Sequence, residues 1–359
     1  MKTVLVCPLD WGLGHATRCI PIIRILIERG NKVIIASDNL PMEILRQEFP
    51  NTQTIKLEGY NIRYPKKISM TWKMLISSPK ILYSIITEHK KLKRIIKEYK
   101  IDIVISDNRY GLWNKNIQSI FITHQLRILS PIRNKIIENF LQKINFFFIN
   151  KYDECWIPDF EGEENLSGEL SHNIKLKQKK NIFYVGPLSR FFEKPNNDTK
   201  AIYNFTAIFS GPEPQRTIFQ DLVINEMKGT SLKGNIIEGM PGKDISIKKF
   251  ENLNIYSHLN SSDLEKMISN SEVIICRSGY SSIMDLCVLN KKAILVPTPG
   301  QTEQEYLADY FKEKKYFYSV PQKTFSLKNS LNQFYNYTGI QISSNAILIT
   351  ERLKYLEKN

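Results

Sequence analysis

The chain has 359 residues, 42% hydrophobic and 24% charged, which suits two domains of ordinary size and excludes a disordered or fibrous polypeptide. Five cysteines, an odd number with no C-x-x-C pair, argue against a disulfide framework or a zinc site and fit a reducing compartment. Met1 leads directly into a strand-like run with no signal peptide ahead of it, no apolar stretch reaches the ~20 residues of a membrane span, and a formal charge of +14 leaves open nucleic acid, an anionic membrane surface, an anionic substrate or a Lys-, Ile- and Asn-rich genome bias.

Thr3 to Cys7 reads as an apolar strand, Pro8 to His15 as a loop with Gly12 and Gly14, and about Ala16 to Arg29 as a helix ended by Gly30. Lys32 to Ser37 is the next strand, so the chain opens β-α-β. This is not the dinucleotide fingerprint, because Thr17 stands where a third glycine is required. The turn does place His15 at the carboxyl end of a strand, the edge where open α/β sheets bind ligands. Lys66 to Lys100 is rich in lysine, with apolar residues at helical spacing from Ile81 to Tyr99. That helix is read as packing its apolar side on a sheet with its lysines in solvent, a membrane-surface face being the alternative. Met70 to Ile76, with Trp72 and Met74, is the better candidate for an exposed apolar contact. Ile101 to Ser106 and Ile117 to Ile122 are strands ending in Asp107-Asn108-Arg109 and Thr123-His124-Gln125. In a parallel sheet both clusters share the edge of His15, which makes Asp107, Asn108, His124 and Gln125 candidate acceptor-side residues. A helix from Pro131 carries Ile132, Ile136, Ile137, Phe140, Leu141 and Ile144, and Cys155 to Ile157 is expected to be the last strand of the first domain.

The boundaries expected are 1–163 for the first domain, 164–181 for a polar linker, 182–340 for the second domain and 341–359 for a C-terminal helix. In the second domain, Tyr203 to Phe209 is a strand running into a glycine turn, Ser210 to Gln215. Further on, Val273 to Cys276 is a strand, broken by Arg277-Ser278-Gly279 before a helix that Ser281 or Ser282 is placed to cap. Such a helix start favours an anion such as a diphosphate, and Asp285, in the first turn or two, is placed to accept from ribose hydroxyls. Ala293 to Val296 is another strand, and Gln304 and Glu305 follow in a position suited to sugar hydroxyls.

Cys276 to Asp285, then Val296-Pro297 and Gln304-Glu305, resemble the nucleotide-sugar half of the MurG-like glycosyltransferases. Gly12-Leu13-Gly14-His15 looks like the opening glycine-rich loop of that family, and Gly186 to Arg190 is similar to its first turn after the linker. The resemblance implies an α/β fold of GT-B architecture, two Rossmann-like domains facing a cleft. It implies a hexosyltransferase that moves a sugar from a nucleotide-diphosphate sugar, usually a UDP-sugar, to an acceptor hydroxyl with inversion. It assigns His15 as general base. On the donor it assigns Gly14, Arg190 at the diphosphate, Ser210 and Gly211 in the donor loop, and Arg277, Ser278, Gly279 and Ser281 at the helix start. Asp285 takes the ribose role, where the family usually has Glu, and Gln304-Glu305 stand for its Gln-Gln pair at the sugar. The donor loop departs from the family in lacking a doubled glycine. The chain has no D-x-D pair, so neither metal nor cofactor is expected. The expected partners are a nucleotide-sugar donor and an acceptor that is lipid-linked or a glycan. The expected location is cytoplasmic, with peripheral association at an anionic membrane. Two alternatives are a nucleotide-sugar epimerase of the same architecture and a basic nucleic-acid-binding protein; against the latter, the aromatics do not interleave with the lysine clusters.

Overall fold

The computed structural model describes residues 1–10, 12–59, 78–174, 181–191, 201–242, 244–340 and 347–358. They form two compact units, Met1–Arg190 with Ser344–Asn359, and Phe191–Ser343.

The strands of the first unit are parallel, and the central ones are short apolar runs buried on both faces. The strands are β1 (Thr3–Pro8), β2 (Lys32–Ser37), β3 (Gln53–Lys56), β4 (Ile103–Asp107), β5 (Gln118–Ile122), β6 (Glu154–Ile157) and β7 (Ile182–Tyr184). Their order is β3-β2-β1-β4-β5-β6-β7, with Val4 opposite both Val33 and Ile103. The helices are α1 (Gly14–Glu28), α2 (Asn39–Glu48), α3 (Ser78–Tyr99) and α4 (Lys135–Ile149). Strand order reverses between β1 and β4, and at such a reversal the connections leave on opposite faces and open a crevice at the carboxyl edge.

The second unit repeats the plan. Its strands are β8 (Tyr203–Ile208), β9 (Gly234–Ile237), β10 (Ile247–Phe250), β11 (Leu253–Tyr256), β12 (Ser271–Cys276), β13 (Ala293–Leu295) and β14 (Tyr318–Ser319). Its helices are α5 (Gln215–Met227), α6 (Ser261–Ser269), α7 (Tyr280–Val288), α8 (Thr302–Glu313) and α9 (Leu327–Phe334). The order is β10-β11-β9-β8-β12-β13-β14, parallel except for the β10–β11 hairpin, and it reverses between β8 and β12. Phe205, Phe219, Val223, Ile275 and Ile294 join sheet and helices in one buried cluster. The last helix, α10 (Ile347–Lys358), belongs to the first unit. Its Arg352 donates to Glu154 of β6 and lies 3.5 Å from the ring centre of Phe183 in β7, and its Glu357 accepts from Asn31 at 2.6 Å.

Two boundaries differ from the sequence reading. Ile182–Tyr184 pairs with β6 in the first sheet, Cys155 opposite Ile182, so the first unit runs to Arg190 and the segment expected as a linker lies inside it. A three-residue strand is too short to show a period that would assign it to a sheet. The C-terminal helix is an outer layer of the first unit rather than a separate element.

Helix α3 follows the packed reading over most of its length. Ile85, Leu92 and Ile95 are buried, while Leu82, Tyr83 and Ile86 near its start are exposed. Residues 70–76, including Trp72 and Met74, lie outside the described residues. Helix α4 inverts the expectation. It buries Glu138 and Asn145 together with Phe146 and Ile149, whereas Ile136 (80%), Phe140 (60%), Ile144 (40%) and Phe147 (60%) stand exposed at spacings of four, four and three. The buried polar groups are used: Glu138 accepts from the Ser130 backbone at 3.0 Å, and Asn145 donates to the carbonyls of Gln125 and Leu126 at 2.8 and 3.2 Å. No described helix is long and apolar enough to cross a membrane.

One fully buried ion pair fastens α3 to the sheet. Arg109 donates to Glu88 at 2.8 Å and to the carbonyls of Leu57 and Glu58 at 2.9 and 2.7 Å. Removing one partner strands the other charge in the core. Arg109→Ala is therefore expected to lower stability by about 3–5 kcal/mol, read from the urea midpoint; a shift under ~1 kcal/mol would show that the pair contributes nothing to holding α3.

Candidate functional site

In the first unit the chemistry collects where strand order reverses. The Gly12–Gly14 turn after β1 starts α1, and His15 lies in that helix's first turn. Asp107 is the last residue of β4, across the reversal. His15 Nδ1 lies 2.9 Å from Asp107 Oδ1, with the imidazole 16% exposed and the carboxylate fully buried. Arg18, one helical turn after His15, donates from both Nε and Nη2 to the two oxygens of Asp107. Its Nη1 is 3.0 Å from His124 Nδ1 at the end of β5, and its Nη2 is 2.9 Å from His15 Nδ1. Arginine only donates, so His124 accepts at Nδ1 and keeps its proton on Nε2. His15 Nδ1 is within reach of both Asp107, which only accepts, and Arg18, which only donates; in the tautomer that gives Asp107 the Nδ1 proton, the neutral ring presents a lone pair on Nε2.

The electrostatics keep that lone pair available. Burial alone would raise the Asp107 carboxyl, but the Arg18 guanidinium and then His15 overcome it and hold the acid down at about 2. Burial pushes His15 below its usual value, and Arg18 adds to this, against the opposing pull of Asp107. The start of α1 also disfavours an imidazolium. Gly14 directly precedes the histidine. Asn108, held at φ +54°, and Gln125 directly follow Asp107 and His124 and are half-buried. The structure therefore brings His15, Asp107 and His124 together through one residue the sequence reading passed over, Arg18. Its i,i+3 spacing from His15 was the available signal.

In the second unit the turns after β8, β12 and β13 meet at the other reversal. Arg277 is 1% exposed and points inward. It donates to Val296 O and Pro297 O at 3.1 and 3.2 Å, and to Gln215 O and Gln322 Oε1, both at 2.7 Å, with its guanidinium 4.5 Å from the Phe219 ring centre. Burial lowers its pKa to about 10. Arg277, expected at the donor, is thus a strut that ties three loops together. Ser278 is also buried, and its hydroxyl donates to Gln304 O at 2.7 Å. Gly279, not Ser281 or Ser282, is the N-cap of α7; the serines sit inside the first turn, and Asp285 is half-buried in the second. Gln304 is buried, with Oε1 accepting from Thr298 N at 2.8 Å, so its Nε2 is turned toward Gly279. Glu305 is exposed and accepts from Gly300 N at 2.9 Å. Ser210 and Gly211 lie in the turn after β8, Gly211 at φ +97°, a conformation only glycine adopts easily. Arg190, expected in the donor domain, is the last residue of the first unit. Among the described residues no three His, Cys, Asp or Glu are grouped as metal ligands.

The shifts at His15 and Asp107 predict acid sensitivity in two windows. His15 is lowered, so the unfolded chain takes up its proton first and stability falls as pH drops below ~6.5. Asp107 is lowered, so its contribution is present above ~4 and is lost between ~4 and ~2, on the order of 2 kcal/mol in all. In urea titrations at stepped pH, His15→Gln is expected to flatten the upper window and leave the lower one; the residual slope above pH 5 belongs partly to His89, which burial also lowers. An unchanged upper window in His15→Gln would show that the imidazole is not held neutral by the fold.

Residues 240–337 match the Glycosyltransferase family 28 C-terminal domain. An uncharacterized glycosyltransferase of Methanosarcina acetivorans is 23% identical over 336 residues, 86% of this chain and 84% of the relative. The UDP-N-acetylglucosamine--N-acetylmuramyl-(pentapeptide) pyrophosphoryl-undecaprenol N-acetylglucosamine transferase of Sulfurihydrogenibium sp. is 23% identical over 348 residues, 94% and 90% of the two chains. Among solved structures, the fold is shared with Acinetobacter baumannii MurG (TM-score 0.50, 15% identity, 100% of this chain and 95% of that one). It is shared also with the spinosyn rhamnosyltransferase SpnG complexed with thymidine diphosphate (TM-score 0.62, 12% identity, 100% of both). With two Rossmann-like units and these relatives, the chain is a glycosyltransferase with the GT-B fold, similar to the MurG-like enzymes.

Proposed function

We propose that the chain transfers a sugar from a nucleotide-diphosphate sugar, with UDP as the nucleotide, to an acceptor hydroxyl, with inversion and without a metal ion. The observation that carries this reading is the His15–Asp107–Arg18 arrangement, a neutral imidazole whose Nδ1 faces a buried carboxylate. Such a group can take the acceptor's proton as the new bond forms, while Asp107 steadies the imidazolium. Inversion follows if the acceptor attacks the anomeric carbon directly, opposite the leaving diphosphate. On the donor side, Asp285 is placed to hold the ribose, and Gln304 Nε2 is left to donate to the sugar once Thr298 N–H occupies its oxygen. Among the described residues Arg277 donates only to uncharged oxygens, and its charge, with the start of α7, favours a departing diphosphate. Arg190, Ser210 and Gly211 are retained as further diphosphate contacts. Asn108, His124 and Gln125 are assigned to the acceptor. The relative from Sulfurihydrogenibium is named for UDP-N-acetylglucosamine, which supports UDP.

The acceptor is proposed to be presented at the cytoplasmic face of an anionic membrane. The support is the inverted helix α4, with Ile136, Phe140, Ile144 and Phe147 in solvent and Lys135, Lys143 and Lys151 beside them. Leu82, Tyr83 and Ile86 of α3 extend the same apolar surface, since Ile81 and Ile85 of that helix pack with Phe148 of α4 around Leu9. Apolar side chains enter the headgroup region, and each nearby lysine adds about 1 kcal/mol against an anionic leaflet.

In a transfer assay with UDP-sugars, His15→Gln is expected to lower turnover by about 10²–10⁴-fold while UDP affinity stays as in wild type. Near-normal turnover would remove His15 as base, and a wild type stabilised by none of UDP, GDP and dTDP in thermal shift would sink the donor reading. In cosedimentation with phosphatidylglycerol-containing vesicles, binding is expected to fall with salt and with Phe140→Ser/Phe147→Ser. A chain that stays in the supernatant at low salt would leave the membrane reading without support.

A further inference from the structure

The loop between β13 and α8 holds two polar atoms that the protein leaves unsatisfied. Thr298 is 3% exposed, and its hydroxyl has no hydrogen-bond partner among the described residues. The amide oxygen of Gln301 is likewise buried without a partner. Such atoms are uncommon in folded proteins, because each forfeits its bonds to water and receives nothing in exchange. The loop around them is otherwise well bonded. Thr298 N donates to Gln304 Oε1 at 2.8 Å, Gly300 N to Glu305 Oε1 at 2.9 Å, and Gln301 N to Thr298 O at 3.1 Å. The last of these closes a turn that carries both unsatisfied groups. Thr298 Oγ lies 3.8 Å from the point where a β-carbon on Gly211 would stand, so the hydroxyl faces the turn after β8, and the absence of a side chain at Gly211 leaves space beside it.

The chemistry narrows what fills that space. A carbonyl oxygen such as that of Gln301 only accepts, and it opposes an anion. A hydroxyl of Thr298 can give or take. A phosphate oxygen only accepts and suits one of the two; a sugar hydroxyl gives one bond and takes another and suits both. We propose that Thr298 and Gln301 read a hydroxyl of the sugar being transferred, and so help to decide which nucleotide-sugar this chain accepts. The proposal rests on the donor reading above.

The test compares wild type, Thr298→Val and Thr298→Ser by calorimetry against UDP and a panel of UDP- and dTDP-sugars, with melting temperatures of the free proteins. Thr298→Val keeps the shape and removes the hydroxyl. It is expected to bind UDP as wild type does, to lose on the order of tenfold on the sugar-nucleotide that wild type prefers, and to melt no lower than wild type, since a methyl replaces an unpaired polar atom. Thr298→Ser is expected to keep the sugar preference. Equal losses on UDP and its sugars would assign the hydroxyl to the diphosphate and overturn the proposal. So would unchanged binding of both, or a melting point several degrees lower, which would reveal a partner within the protein. A wild type that binds UDP but no sugar-nucleotide more tightly also overturns it and leaves the donor reading standing. A wild type that binds no nucleotide at all removes both.

Discussion

The first unit depends on the bidentate pairing of Arg18 with Asp107. Two charges at 2% and 0% exposure are far from water, and neither is tolerable there alone. Together they fix the geometry of everything around them. Asp107 ends β4, Arg18 sits one turn into α1, and His124 follows β5 by two residues, so a single guanidinium joins three elements at the point of strand reversal. The pairing also sets the basicity of His15. An imidazole facing a lone buried carboxylate would be drawn toward its protonated form. Here Arg18 already neutralises most of that charge, and burial decides in favour of the neutral ring.

The second unit solves the same geometric problem with different electrostatics. Arg277 joins three turns at the other reversal, but its acceptors are carbonyl and amide oxygens. Burying a guanidinium against dipoles costs more than burying it against a carboxylate, and the lowered pKa reports that cost. What remains, among the described residues, is a buried guanidinium whose hydrogen-bond partners include no carboxylate. Two buried arginines in comparable places are thus satisfied differently, one by an internal acid and the other by carbonyl and amide oxygens.

Much of this was legible in the sequence because parallel strands announce themselves. Thr3–Cys7, Lys32–Ser37 and Val273–Cys276 are apolar runs ended by glycine or polar turns, and each is a strand at or near those limits. The carboxyl-edge residues could be read the same way, since a polar cluster directly after such a run must lie at its end. His15, Asp107 and His124 meet for that reason. What escaped was set by contacts distant in sequence. Nothing local says that Arg277 turns inward, because its partners lie up to 62 residues away. Nor does a three-residue run such as Ile182–Tyr184 say which sheet it joins, or Thr298 that its hydroxyl goes unpaired. The capping serines failed on a finer point: Gly279 already has the extended backbone of an N-cap, so the helix starts before them.

Helix α4 shows most clearly where periodicity stops being a guide. Its apolar stripe is real, and pattern alone assigns a stripe to the core. The opposite face carries Glu138 and Asn145, whose partners are the backbones of Ser130, Gln125 and Leu126, and Asn145 also accepts from the Tyr110 hydroxyl at 2.9 Å. Those bonds secure the loop that follows His124. A helix can bury one such face against the sheet, and here the polar one is needed to hold the candidate site. Ile136, Phe140, Ile144 and Phe147 are left outward as a consequence of that choice, while Phe146 and Ile149 stay in the core. Their exposure is costly in water and favourable only against an apolar phase or partner. The requirement that positions the edge residues and the surface proposed to meet the membrane are therefore two sides of one helix.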